Sequence, residues 1–161
     1  MDITKLSNKY FVKYLDNSNL DEIVDIFVNN PQFYLYTDAR PTKEQALNDM
    51  NITPPGIEIA KKHYVGFYDN NELIAIMDLI DGYPTNDIAY IGFFMMKNSY
   101  QKKGIGSSII KEVEMYLGDF GKKKVRLAID KGNPESSSFW NKLGYKVIRE
   151  TNKKLEAEKI L

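Results

Sequence analysis

The chain has no cysteine among its 161 residues. Disulfides, thiolate metal sites and a covalent acyl-cysteine intermediate are thereby excluded, and a reducing cytosol is compatible. Histidine is almost as scarce. His63 stands alone, with no second imidazole to complete a metal site, and reads as structural or exposed. No excess charge of either sign exists: 22 basic side chains meet 22 acidic ones, which argues against a general nucleic-acid or anionic-membrane partner, although Lys102-Lys103 and Lys122–Lys124 are local basic patches. No window approaches the ~20 apolar residues of a membrane span, and Met1–Leu6 lacks a basic stretch followed by an apolar run. A cytoplasmic protein is the expectation. Repeats, low-complexity segments and linkers are missing too, so one domain over residues 1–161, with 43% hydrophobic residues to build its core, is expected.

What is present is a regular alternation of strand and helix signals. Tyr10–Leu15 reads as a short strand. Asn19-Leu20-Asp21-Glu22 opens a helix carrying Ile23, Val24, Ile26 and Phe27, which Pro31 ends. Thr42 with Gln45 forms a capping-box pattern for a second helix to about Met50, stopped by Thr53-Pro54-Pro55-Gly56. His63–Tyr68 and Glu72–Ile80 flank the hairpin residues Asp69-Asn70-Asn71, and Ile88–Met96 follows as another strand. Then come a helix over Gly104–Leu117, a strand over Val125–Ile129, a helix over Pro134–Leu143 with Asn133 as N-cap, and a strand over Tyr145–Arg149. The tail Thr151–Leu161 reads as either strand or helix. Mixed α/β or α+β order follows.

Between the Ile88–Met96 strand and the next helix lies Gln101-Lys102-Lys103-Gly104-Ile105-Gly106. Glycines allow a tight turn and close approach of a ligand, the first helical N–H groups are unpaired, and the helix dipole favours an anion there. Lys102 and Lys103 add positive charge. No third glycine completes a dinucleotide fingerprint, and no Lys-Ser or Lys-Thr follows as a P-loop requires. Downstream stands Asn133-Pro134-Glu135-Ser136-Ser137-Ser138-Phe139-Trp140-Asn141-Lys142-Leu143-Gly144-Tyr145.

The Gln-x-x-Gly-x-Gly hexapeptide resembles the pyrophosphate loop of the GNAT acetyltransferase superfamily, and the downstream segment resembles that family's second motif, an Asn opening a helix that ends in Leu-Gly-aromatic. The likeness covers about Tyr90 to Ile148. It implies a GNAT-like central mixed, mostly antiparallel sheet flanked by helices, with acetyl-coenzyme A as cosubstrate and no metal. It also implies that the cofactor's pyrophosphate rests on Gln101, Lys102, Lys103, Gly104, Ile105, Gly106 and Ser107. The pantetheine arm would pair with the backbone of Phe94, Met95 and Met96. Asn133 would lie near the thioester end, although it is equally readable as a pure N-cap, with Ser136 and Ser137 on the first turn of the following helix close to the coenzyme.

One departure concerns protons. Where many relatives carry a tyrosine seven positions after the motif asparagine, this chain has Trp140, and an indole cannot serve as an acid. Trp140 reads as a wall along the pantetheine or as core. The register in which some relatives carry a glutamate base gives Tyr90, a candidate for protonating the departing thiolate, with cross-strand packing as the other reading. Asp78 alternates with Ile76 and Ile80, so burial of that face would oblige its charge to find a partner.

The resemblance implies an N-acetyltransferase acting by direct attack of a primary amine, either a small molecule or a peptide amino group. A homodimer is compatible with the sequence. Two other readings stand beside it: a non-catalytic acyl-coenzyme A binding or sensing module on the same fold, and a nucleotide-binding protein using the glycines alone. Acceptor specificity falls to the Phe33–Tyr36, Thr53–Gly56 and Asp81–Asn86 segments, with Asp38, Asp78 and Asp81 leaning towards a cationic amine.

Overall fold

Two asparagines turn the chain at the middle of its sheet. In the computed structural model, which describes residues 1–161, Asn70 and Asn71 both take left-handed φ, +47° and +69°, the pair a two-residue hairpin turn needs. They join β2 (Lys62–Asp69) to β3 (Glu72–Asp81). Ahead of them come β1 (Phe11–Tyr14), α1 (Leu20–Val28) and α2 (Lys43–Asn51). After them come β4 (Ile88–Met96), α3 (Ile105–Asp119), β5 (Lys124–Asp130), α4 (Pro134–Lys142), β6 (Lys146–Glu150) and β7 (Lys154–Ile160). The seven strands lie in the order β1-β2-β3-β4-β5-β7-β6, and of the neighbouring pairs only β4 and β5 run parallel. The architecture is a mixed, mostly antiparallel sheet flanked by helices, as the resemblance implies. No helix is long and apolar enough to cross a membrane.

The tail is a strand. Leu155 and Ala157 turn to the core while Glu156 and Glu158 turn to Arg126 and Arg149, a period of two that a helix could not satisfy. Thr42 caps α2 by accepting the Gln45 N–H at 3.1 Å. The Gln45 side chain does not return the bond; it donates to Asp49 Oδ1 at 2.7 Å, so only half of the expected capping box forms.

Apolar side chains fill both faces of the sheet unequally. On one face α3 sets Ile109, Ile110, Val113 and Leu117 against Val65, Met77, Ile91 and Leu127, and α4 adds Trp140 and Leu143. On the other, α1 packs Ile23, Ile26 and Phe27 over Tyr64, Ile76 and Met95. Buried area of this kind contributes roughly 25 cal/mol per Å².

Strand β4 breaks register against β3. Asp78 pairs with Phe93 but Leu79 with Ile91, so Gly92 is an extra residue that bulges and bends β4. Parallel pairing with β5 ends at Ile91↔Leu127. Beyond it the two strands diverge, and each keeps pairing only with its outer neighbour.

Candidate functional site

At the start of α3, Gly104 takes φ +77° with nothing within 4 Å of where a Cβ would stand. Its glycine answers to backbone conformation, since other residues pay to enter the left-handed region. Lys102 is also left-handed, at φ +59°. The N–H groups of Gly104, Ile105, Gly106 and Ser107 find no acceptor in the chain; the first to do so is Ser108, which donates to Gly104 C=O at 3.0 Å. Four free donors therefore converge at the positive end of a 15-residue helix. Gly106 has a different reason: a Cβ there would lie 3.3 Å from Met96 Cγ and 3.6 Å from Phe139, so its smallness lets α3 approach β4 and α4.

Gln101 ties this loop to α1. Its Nε2 donates to Asn30 Oδ1 at 2.5 Å and to Met96 C=O at 3.0 Å, while Asn30 Nδ2 donates to the same carbonyl at 3.1 Å and to Ile26 C=O at 2.8 Å. Lys103 Nζ donates to Ser99 C=O at 2.9 Å, and Lys102 is exposed.

Where β4 and β5 part, a cleft of about 250 Å³ opens through the sheet. Gly92, Phe93 and Phe94 form one side, Leu127, Ala128 and Asp130 the other, and Ser136 and Trp140 of α4 close one end. Asn133 is buried and accepts the Ser136 N–H at 3.1 Å, as an N-cap does. Ser137 is half-buried and outside the cleft lining. Trp140 is both wall and core: it faces the cleft and packs edge-on to Phe94, Phe139 and Tyr145 at 6.3, 5.0 and 5.0 Å between ring centroids. Met95 is buried against α1's cluster and Met96 under α3, so what they present to the cleft side is backbone. A ligand with a diphosphate at one end and an extended amide-bearing arm at the other fits this donor set: four convergent amides beside two lysines, then strand edges with unpaired backbone groups.

The far end of the cleft is built by Phe33 and Tyr34 of a 3-10 turn, by Gln45 and Asp49 on one side of α2, by Ile52 and by Asp78 of β3. Asp78 is 9% exposed. Its Oδ2 accepts from Lys62 Nζ at 2.6 Å, which supplies the partner that burial demands. Its Oδ1 is buried with no partner. Burial pushes its carboxyl above the ordinary range, with Lys62 opposing. Asp78 also abuts the bulge: a Cβ on Gly92 would stand 2.8 Å from its Oδ2. Asp49 is likewise pushed up by burial, the Gln45 hydrogen bond and Lys62 opposing. The Tyr64 hydroxyl is buried beside these carboxylates without a partner.

Tyr90 does not line the cleft. It packs edge-on to Tyr83 at 5.3 Å, and burial first, then Glu156 and Tyr83, push its phenol up to about 12. The other acids named from sequence also lie elsewhere. Asp81 pairs with Lys122 and Asp38 with Lys153 at 2.5 Å, leaving Asp78 as the one that reaches the cleft. His63 is buried, its Nδ1 2.7 Å from the Tyr14 hydroxyl. Sequence reasoning missed Asp49, Lys62 and Tyr64. The available signal was the i, i+4 spacing of Gln45 and Asp49 beside Ala46, the buried residue of α2.

The family model described as "Acetyltransferase (GNAT) family" matches residues 20–145. No curated protein matches the sequence. Among solved structures, an acetyltransferase from Thermus thermophilus is 16% identical with a TM-score of 0.78, the match covering 95% of this chain and 97% of that one. PaiA N-acetyltransferase from Thermoplasma acidophilum, solved in complex with coenzyme A, is 19% identical with a TM-score of 0.71, covering 94% and 99%. The ribosomal-protein-S18-alanine N-acetyltransferase of Escherichia coli is 12% identical with a TM-score of 0.64, covering 94% and 93%. At such identities the likeness establishes the fold.

Proposed function

Because this chain belongs to the GNAT acetyltransferase family, we propose that it moves an acetyl group from acetyl-coenzyme A to a primary amine by direct attack. The observation that carries this reading is the presence together of the β4–β5 opening, walled by Trp140 of α4, and the four free amides of Gly104–Ser107, where a Cβ on Gly106 would stand 3.6 Å from Trp140's neighbour Phe139. The coenzyme A complex of the Thermoplasma neighbour supports the choice of coenzyme.

When bound, acetyl-coenzyme A supplies an activated acyl thioester. The amides of Gly104–Ser107, with Lys102 and Lys103, hold its pyrophosphate, and Gln101 fixes that loop against α1. The diverging backbone of Phe94–Met96 receives the amide-bearing arm, Phe94 and Trp140 wall it from water, and Asn133 and Ser136 stand at its acyl end. A neutral amine then forms a C–N bond to the acetyl carbon as the C–S bond breaks; the amine loses one proton and the thiolate gains one. Catalysis rests mainly on positioning and on backbone donors towards the carbonyl oxygen. For the returning proton the sequence offers Tyr90, whereas the geometry favours solvent, because Tyr90 does not line the cleft.

Calorimetric titration with acetyl-coenzyme A, paired with thiol release in the presence of amine panels, tests the proposal. Binding that Gly104→Asp abolishes in a folded protein, together with amine-dependent thiol release, is the expected result. Tight binding with no release above hydrolysis on any polyamine, aminoglycoside, amino acid or peptide amino terminus would leave a binding module instead.

A further inference from the structure

The cleft's floor holds more negative charge than the chain itself neutralises. Asp78 has Lys62 at 2.6 Å. Asp49 has no cation bonded to it: its one hydrogen bond is the Gln45 amide at 2.7 Å on Oδ1. It nevertheless sits in a partly buried position walled by Phe33, Tyr34 and Phe93. A carboxylate withdrawn from water without a partner is costly, and here the missing charge belongs to whatever occupies the cleft. Asp78 lines the same end of the cleft, and its buried Oδ1 has no partner. An alkylammonium is donor-only, with three N–H groups and no acceptor, and its methylene stem suits aromatic walls.

The nitrogen that attacks a thioester must be neutral, so it cannot also be the counter-ion of Asp49. We propose that Asp49, with Asp78 beside it, forms an acceptor subsite for a primary amine joined through a short alkyl chain to a second, positively charged group. Asp49 holds the non-reacting ammonium. Asp78 Oδ2, which lies beside the Gly92 bulge and accepts from Lys62, also accepts an N–H from the attacking nitrogen. The inference rests on the acetyltransfer reading for the identity of the reacting group, and it adds the substrate class.

The test compares 1,4-diaminobutane with n-butylamine at saturating acetyl-coenzyme A, in the wild type and in Asp49→Asn, whose side chain keeps an acceptor for Gln45. Calorimetric binding of 1,4-diaminobutane to the protein–coenzyme A complex runs alongside. The expected wild-type preference for the diamine in kcat/KM is about tenfold or more, carried by KM, and Asp49→Asn reduces it to near parity. Equal use of both amines by the wild type, or a preference that survives Asp49→Asn, overturns the subsite while leaving acetyltransfer standing. Equal loss of kcat on both amines with the preference intact makes Asp49 a base and also overturns it. Should no amine be turned over, acetyltransfer fails, and calorimetry decides the subsite: diamine binding lost in Asp49→Asn upholds it, and no binding to the wild type removes it.

Discussion

Lys62 and Asp78 are a buried pair whose halves are unequal in consequence. The lysine side chain is 2% exposed and the carboxylate 12%, so removing either charge strands the other. Lys62→Met should cost about 3–5 kcal/mol of stability near neutral pH, the usual penalty for an uncompensated buried charge. The pH dependence has a definite sign. Asp78 titrates above its ordinary 3.8 in the folded protein, so its proton favours folding, fully below 3.8 and progressively less as pH rises through the raised value. Lys62 pulls that value down, and without it the folded carboxyl holds its proton to higher pH still. Urea denaturation should therefore show the variant furthest below wild type near pH 7 and closing the gap towards pH 4; a gap independent of pH would mean lost packing rather than stranded charge. Tyr90 offers a second residue-scale test. Its phenol is pushed up to about 12 and lies outside the cleft, so Tyr90→Phe should leave kcat within about twofold. A fall beyond about tenfold at unchanged coenzyme affinity would instead assign it the acid role, since general acids contribute about 10²–10⁴ in rate.

The two glycines at the start of α3 separate conformation from packing. Gly104 is left-handed with open space around it, so Gly104→Ala should destabilise by about 1–2 kcal/mol through backbone strain alone. Gly106 lies inside the helix, where alanine is intrinsically better by up to about 1 kcal/mol, and the close neighbour at 3.3 Å is the adaptable side chain of Met96. Gly106→Ala should accordingly fall within about 1 kcal/mol of wild type in chemical denaturation; the opposite order would refute the conformational account of Gly104. Elements like these were legible from sequence because their signals are local. Asn70-Asn71, the Thr42 and Asn133 caps and the Gly104 turn each declare themselves within four residues. What was not legible is set by contacts across the chain. Nothing in Ile88–Met96 marks Gly92 as the bulge, because the bulge exists only relative to the register of β3. Gln101 also bonds Asn30, 71 residues away, a contact that its place in the hexapeptide does not announce. Asp49, Lys62 and Asp78 come together from α2, β2 and β3, so no spacing in the sequence linked the three. The tail could not be decided until β5 and β6 offered it edges on both sides.

The whole sheet is two antiparallel halves joined by four residue pairs, Ile88–Ile91 against Lys124–Leu127. Each half has its own support: α1 and α2 lie over β2–β4, while α4 and the Arg126–Glu158 ion pair belong to β5–β7. The cleft lies between the halves, so in the proposed reading the coenzyme would complete the sheet as a strand would, its two ends at the amides of α3 and towards the carboxylates near α2. Hydrogen exchange should read this division. Coenzyme A alone should slow exchange at Gly104–Ser107, whose amides have no internal partner, and on the cleft side of Phe93–Met96. Core amides such as those of β2 and β3 should slow only by global stabilisation, about 2.7 kcal/mol at a hundredfold excess over Kd, because they already lie within paired strands. The segment from Phe33 to Ile52 should respond to a second addition, the diamine, and not to the first. Protection by coenzyme A spread evenly over both ends would mean that the passage closes as one unit, and the separation of coenzyme and acceptor ends drawn from the cleft's lining would be wrong.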